Sequence, residues 1–220
     1  MKKICSLLFA AAILTSFSGC DDEGGNYSHN GNDPLNKLIV DENLSSARDS
    51  DNSSRSSKKS EDGHPDWDVF RGTGYIICAD GSEWEKQNSS DISASVGSNV
   101  DLVLVSGKKS SFRPNINVII SGLTEDVPDL EAYVKYTVDC VDKYDNIKYM
   151  EQKKGKANGI KGYYMYLEEK VNNVNLGCYQ FICVNDGKAY VFTMTDRKNR
   201  IDEHEEEFRE IMDTLEFFSY

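Results

Sequence analysis

The sequence has 220 residues, 39% of them hydrophobic and 28% charged, enough apolar content to bury one sizeable core with appendages to spare. Its formal net charge of −12 excludes nucleic acid and anionic lipid as partners of the folded surface as a whole, because phosphate recognition needs clustered Lys and Arg.

The chain opens with Lys2 and Lys3, an apolar stretch from Ile4 to Phe17, and then Ser18-Gly19-Cys20. A basic start, a short apolar run and small residues mark a secretory signal, too short to span a bilayer comfortably. Phe17-Ser18-Gly19-Cys20 resembles the bacterial lipobox. That resemblance implies cleavage after residue 19 and diacylation of Cys20, and two acyl chains hold a protein stably at a membrane. The expectation is an exported bacterial protein, lipid-anchored to the cell membrane or the outer membrane. From Asp21 to about Asp66 the composition changes, with Ser-, Asp- and Asn-rich stretches that bury too little apolar surface to order themselves. Residues 20–66 therefore read as the acylated cysteine and a disordered tether, of roughly 40 Å root-mean-square reach. Residues 67–220 read as the folded domain.

Gly74–Ala79 reads as a first strand, and Asp80-Gly81 turns it toward Trp84. Ile92–Val96 is a weaker strand candidate. Asn99–Ser106 and Asn115–Ser121 both alternate and form an expected antiparallel pair. Thr124 to Pro128 marks a helix start, after which Leu130, Tyr133, Val134, Thr137, Val138 and Val141 share one helical face. Asn146–Lys153 and Gly162–Lys170 follow as strands of a meander, with Gly155, Gly159 and Gly162 read as its punctuation. Two apolar runs, Leu176–Val184 and Ala189–Thr195, flank Asp186-Gly187, which supplies the positive φ of a two-residue hairpin loop. That loop sets the register: Cys183 opposite Tyr190, Phe181 opposite Phe192, Tyr179 opposite Met194. Because both faces of this hairpin are apolar, each needs a cover. One cover is the 126–144 helix. The other is a helix over 201–218 carrying Ile201, Phe208, Ile211, Met212 and Leu215, with Asp202 and Glu205 spaced as a capping box. The fold class is α+β, an αβα sandwich around an antiparallel sheet of about six to seven strands, with helices on both faces.

This order of elements resembles the Mog1/PsbP-like fold, nearest to PsbP-related bacterial envelope proteins of the DcrB and LpqN kind. Gly74–Trp84 is similar to the opening strand and its Trp-bearing turn, here without the proline. Phe112-Arg113-Pro114-Asn115-Ile116-Asn117-Val118 resembles the F-x-x-N-I-N-V stretch, and Gly187–Thr195 with the helix after it resembles the closing hairpin and helix. The resemblance covers roughly residues 70–218. It implies the layered sheet just described and no particular chemistry, since members of that fold do unrelated things.

The three histidines offer little for a nucleophile: His29 and His64 lie in the tether and His204 in the acidic helix. Glu203, His204 and Glu207 lie near one another on that helix, where a cation could bind, yet a run of acids on a helix is more often a solvated face. No catalytic residue, metal ligand or cofactor is assigned. Of the six cysteines, Cys5 leaves with the signal and Cys20 is the lipid anchor, so Cys78, Cys140, Cys178 and Cys183 remain. Cys178 and Cys183 point to opposite faces of one strand and do not bridge each other; disulfides joining them to Cys78 and Cys140, or four buried thiols, stay open. Twelve tyrosines either line a recognition surface or pack on the sheet. The functional expectation is a non-enzymatic, membrane-anchored lipoprotein whose domain binds an envelope partner. Two alternatives stand beside it: a carrier for a lipid or other apolar small molecule, and, more weakly, a hydrolase using two converging carboxylates.

Overall fold

A computed structural model describes residues 67–89, 100–108, 112–171 and 173–218. The signal, Cys20, the tether and the 92–96 strand candidate lie outside the described residues.

The chain builds β1 (Asp68–Gly72), β2 (Tyr75–Ala79), β3 (Trp84–Lys86), β4 (Val100–Ser106), β5 (Asn115–Gly122), α1 (Leu130–Val141), β6 (Ile147–Ala157), β7 (Ile160–Val171), β8 (Val174–Asn185), β9 (Lys188–Arg197), a 3-10 turn (Ile201–His204), α2 (Glu205–Met212) and β10 (Glu216–Phe217). Seven strands form one antiparallel sheet in the order β3-β4-β5-β9-β8-β7-β6, and β1-β2-β10 form a second, smaller sheet.

The β8–β9 hairpin sits near the middle of the large sheet with the register its loop dictates: Cys183 opposite Tyr190, Phe181 opposite Phe192, Tyr179 opposite Met194. Asp186 and Gly187 both have positive φ, 47° and 67°, which matches the right-handed twist of the flanking strands. Alternation then divides the apolar side chains between the faces. Cys178, Ile182, Ala189 and Val191 join Tyr133, Val134 and Val141 of α1 in one cluster. Phe181, Cys183, Phe192 and Met194 join Tyr75 and Ile77 of the small sheet and Phe208, Ile211 and Met212 of α2 in the other.

Four expectations change. Residues 68–72, ahead of the expected first strand and given no element from the sequence, form β1 and pair with β2. Helix α1 starts later than Thr124, because Asp129 caps it by accepting from Ala132 N at 2.8 Å, while Thr124 and Val127 close a bridge before it. The meander strands are longer than expected: the turn is Asn158-Gly159, with φ of 46° and 78°, and Gly155 and Gly162 face each other inside the strands. A Cβ on Gly162 would lie 2.5 Å from the Phe181 ring, so this glycine permits close approach and does not make a turn.

The 201–218 helix is the fourth. It is a 3-10 turn, then eight α-helical residues, then strand β10. Thr214 ends it: its hydroxyl donates to Ile211 O at 2.7 Å and accepts from Cys78 N of β2 at 2.7 Å, tying the helix terminus to the small sheet. No capping box forms, for neither helix start has a side-chain cap; Asp202 and Glu205 instead accept from the Tyr179 hydroxyl at 3.1 and 3.2 Å. The second cover is thus shared between a short helix and a three-stranded sheet, in place of a full helical layer.

Candidate functional site

His204 is not on a solvated face. Asp196 ends β9 pointing toward α2 and is fully buried, and His204 Nε2 approaches its Oδ2 at 3.3 Å while Nδ1 lies 3.0 Å from Glu207 Oε2. Trp84 Nε1 donates to Glu207 Oε1 at 2.8 Å, and Arg200 completes the group by donating to Asp196 and, at 3.0 Å, to Phe112 O. Hydrogen bonds to Asp196 and Glu207 push the imidazole pKa up to about 9. Despite burial, both carboxyls are held below their usual values by hydrogen bonds, to His204, the Arg197 N–H and Arg200 for Asp196, and to His204 and Trp84 for Glu207. At neutral pH His204 is therefore an imidazolium clamped between two carboxylates, which fastens the 3-10 turn to β9 and β3. Glu203 stays in solvent, and no group of three or more metal-ligating side chains occurs among the described residues.

The cysteines resolve into four buried thiols, with no disulfide among the described residues. Cys178 and Cys183 lie in different clusters, on opposite faces, as their spacing requires. Burial pushes both thiols up to about 12, so neither carries thiolate at neutral pH.

On the α1 face the sheet changes character toward β5. Asn117 faces Thr193, which faces Gln180; one rung along, Asn115 faces Thr195, which faces Cys178. Glu169 of β7 points to the same face beside Leu176 and Ile147. Asn115, Asn117, Gln180, Thr193, Thr195 and Glu169 are all at most 5% exposed. Gln180 Nε2 donates to Thr193 Oγ1 at 3.1 Å, and the Cys178 thiol lies 3.7 Å from Thr195 Oγ1. Both amide atoms of Asn115 and of Asn117, Gln180 Oε1 and Glu169 Oε1 have no hydrogen-bond partner among the described residues. Each such buried group costs about 1–3 kcal/mol while it stays unmet. Burial alone lifts the Glu169 carboxyl to about 7.

Sequence reasoning reached Asn115 and Asn117 only as a strand motif. Two asparagines in register on an apolar strand were the signal available, since asparagine is depleted from strands. Glu169 and Gln180 gave none, because their burial follows from neighbours distant in sequence. A hydrolase would need converging carboxylates, and carboxylates converge in two places among the described residues, on His204 and, from Asp202 and Glu205, on the Tyr179 hydroxyl. Asp196 and Glu207 converge on His204 but are both held ionised, while Glu169, the carboxyl with a raised pKa, stands on the opposite face of the sheet.

No family model and no characterised protein sequence matches the chain. Solved structures do. Mog1p, the Ran-binding protein of Saccharomyces cerevisiae, is similar at 8% identity and a TM-score of 0.42, with 69% of this chain and 96% of that one covered. LpqN of Mycobacterium tuberculosis, involved in cell envelope biogenesis, is similar at 10% identity and 0.49, over 66% of this chain and 83% of that one. The cyanobacterial PsbP (CyanoP) of Synechocystis is similar at 15% identity and a TM-score of 0.51, over 72% of this chain and 96% of that one. At such identity the last likeness speaks to architecture alone: the chain has a PsbP-like fold.

Proposed function

We propose that this chain is a cell-envelope lipoprotein, anchored through acylated Cys20, whose PsbP-like domain, with α1 on one face of its large sheet and α2 beside the small sheet on the other, works by binding and not by catalysis. One observation carries the reading: His204 and two of the thiols are locked, and on the α1 face the buried side chains without a hydrogen-bond partner among the described residues are three amides and the Glu169 carboxyl. His204 is held charged between two carboxylates and the thiols of Cys178 and Cys183 are held protonated. Asn115, Asn117 and Gln180 offer donors and acceptors of hydrogen bonds, which hold a ligand without transforming it. The bound component is another constituent of the envelope. A carrier of acyl chains fits less well, because amides and a carboxyl are poor lining for hydrocarbon.

Mass spectrometry of the full-length protein purified from its native membranes tests this. The expected result is diacylated Cys20 and a co-purifying envelope component. Stoichiometric free lipid with no partner would overturn the binding reading in favour of a carrier, and an unmodified Cys20 would overturn the anchor.

A further inference from the structure

Strand β6 is one edge of the seven-stranded sheet, and it is long, Ile147–Ala157, where the opposite edge, β3, has three residues. A shift in register between Tyr149 and Glu151 bulges out Met150, whose side chain is 49% exposed. Beyond the bulge, Glu151 to Ala157 pair with β7 in unbroken register, a run as long as an ordinary strand. The outer side of that run presents backbone donors and acceptors with no neighbouring strand among the described residues.

The charge there runs against the rest of the molecule. In a chain of net charge −12, the β6–β7 hairpin carries Lys148, Lys153, Lys154, Lys156 and Lys161 with Glu151 the one acid between Lys148 and Lys161. Lysines commonly blunt a sheet edge, and the bulge at Met150 does so too. Blunting does not account for how three of these are placed. Lys156 and Lys161 face each other directly across the two strands, and like charges in that position destabilise a sheet. Lys154, two residues along, shares their face, lies 5.5 Å over the Tyr163 ring and reaches Glu131 of α1 at 2.9 Å. Lys156 and Lys161 have no carboxylate partner among the described residues. An unrelieved pair of cations beside an open strand edge calls for an anion that arrives on a strand.

We propose that the outer edge of β6, from Glu151 to Ala157, docks an extended acidic segment of a partner protein by strand addition, with Lys154 and Lys156 reading carboxylates at alternate positions of that segment and Lys161, on the rung of Lys156, adding to the positive charge there. A second copy of this chain is the wrong occupant, because β6 against β6 sets lysines against lysines. The proposal rests on the binding reading above and names the partner's chemistry and the surface it uses.

The test uses full-length protein in detergent, a blocked peptide of alternating Thr and Glu about eight residues long, and its Thr-Lys counterpart as control. Binding is followed by fluorescence anisotropy and by hydrogen exchange of the β6 amides. The acidic peptide is expected to bind and to slow exchange along 151–157, and the basic peptide to do neither. Lys156→Glu is expected to weaken binding about tenfold. This variant replaces a like-charge pair by an opposite one, so it folds. Lys153→Glu makes the same change of net charge on the other face and is expected to weaken binding less than about twofold. Equal losses in the two variants, or binding without amide protection, would overturn the proposal. So would Lys156-dependent binding to phosphatidylglycerol vesicles with no strand protection by the peptide, which would make the edge a membrane contact. If Lys156→Glu loses nothing while the native protein still co-purifies with an envelope component, the edge is wrong and the binding function stands. If the peptide binds as expected and no component co-purifies, the edge stands and the assignment of its partner to the envelope falls.

Discussion

Glu169→Gln should make the domain more stable, and by an amount that depends on pH. The carboxyl is raised from 4.5 to about 7 by burial, and its Oε1 has no hydrogen-bond partner among the described residues. Below about pH 4.5 it is protonated in both the folded and the unfolded chain and contributes no pH dependence. Between about pH 4.5 and 7 the unfolded chain releases the proton while the folded chain keeps it, so stability falls as pH rises. Above about pH 7 the full penalty is in place, about 3 kcal/mol for a shift of this size. Cys178, its titratable neighbour, is pushed up to about 12 and does not ionise in this window. Glutamine keeps the shape but has no charge to bury, and its amide retains a cost of ~1 kcal/mol. The protonated carboxyl carries a similar unmet cost, so the variant should match the wild type near pH 4.5 and exceed it by about 3 kcal/mol at about pH 8. Urea unfolding of both proteins across that range measures the difference. A gap that stays constant from about pH 5 to 8, or that widens toward acid, would refute the placement of Glu169 in a dry, unpaired site.

Three further outcomes follow from the geometry. His204→Gln should cost about 1–3 kcal/mol at neutral pH by leaving Asp196 buried against one cation fewer. Since the imidazole pKa is raised to about 9, that contribution is complete below its unfolded value and disappears as pH rises through about 9, which urea unfolding at neutral and alkaline pH reads directly. Gly162→Ala should lose about 1–3 kcal/mol, because its Cβ meets the Phe181 ring at 2.5 Å and Ile182 O at 2.6 Å with no side chain free to swing away; thermal melting checks it. Maleimide added without reductant should label none of Cys78, Cys140, Cys178 and Cys183 in the native domain and all of them after unfolding, whereas thiols still protected in denaturant would show a disulfide.

The architecture was legible wherever local chemistry decides it. Asp186-Gly187 determines its own φ values, the loop length then determines the register, and two apolar faces demand two covers. Errors arose where a distant partner decides. Gly155 and Gly162 looked like turn residues, because no local signal tells a glycine kept for a turn from one kept for an aromatic ring on the neighbouring strand. Strand β1 was missed because its pairing with β2, and not its own Asp-Val-Phe-Arg-Gly, makes it a strand. At the candidate site, His204 read as part of a solvated acidic face because Asp196, the residue that buries it, belongs to another element. Glu169 carried no signal at all, for its alternation with Leu167 and Met165 is visible only once its inward face is known.

The asparagines of the polar row on the α1 face lie on β5, beyond the strands that the apolar cluster of α1 takes in. Seven strands set about 4.8 Å apart make a sheet roughly 30 Å wide, while one α-helix with its side chains is about 10 Å across. A single helix crossing the sheet cannot shield every strand, and the apolar cluster that α1 shares with the sheet takes in β6 to β9 and, among the described residues, nothing from β4 or β5. On the opposite face the same shortfall is met by the three-stranded sheet, whose Tyr75, Ile77 and Ala79 extend the apolar cluster to Leu102, Leu104, Ile116 and Val118. Strand β5 shows the two solutions in one segment, with Ile116 and Val118 turned to the covered face and Asn115 and Asn117 to the other. Apolar residues at 115 and 117 would bury more hydrocarbon and leave no amide unmet. The chain instead carries asparagines there, buried beside Val103 and Val105 of β4, so this end of the sheet gives up stability in amides that stay unmet among the described residues.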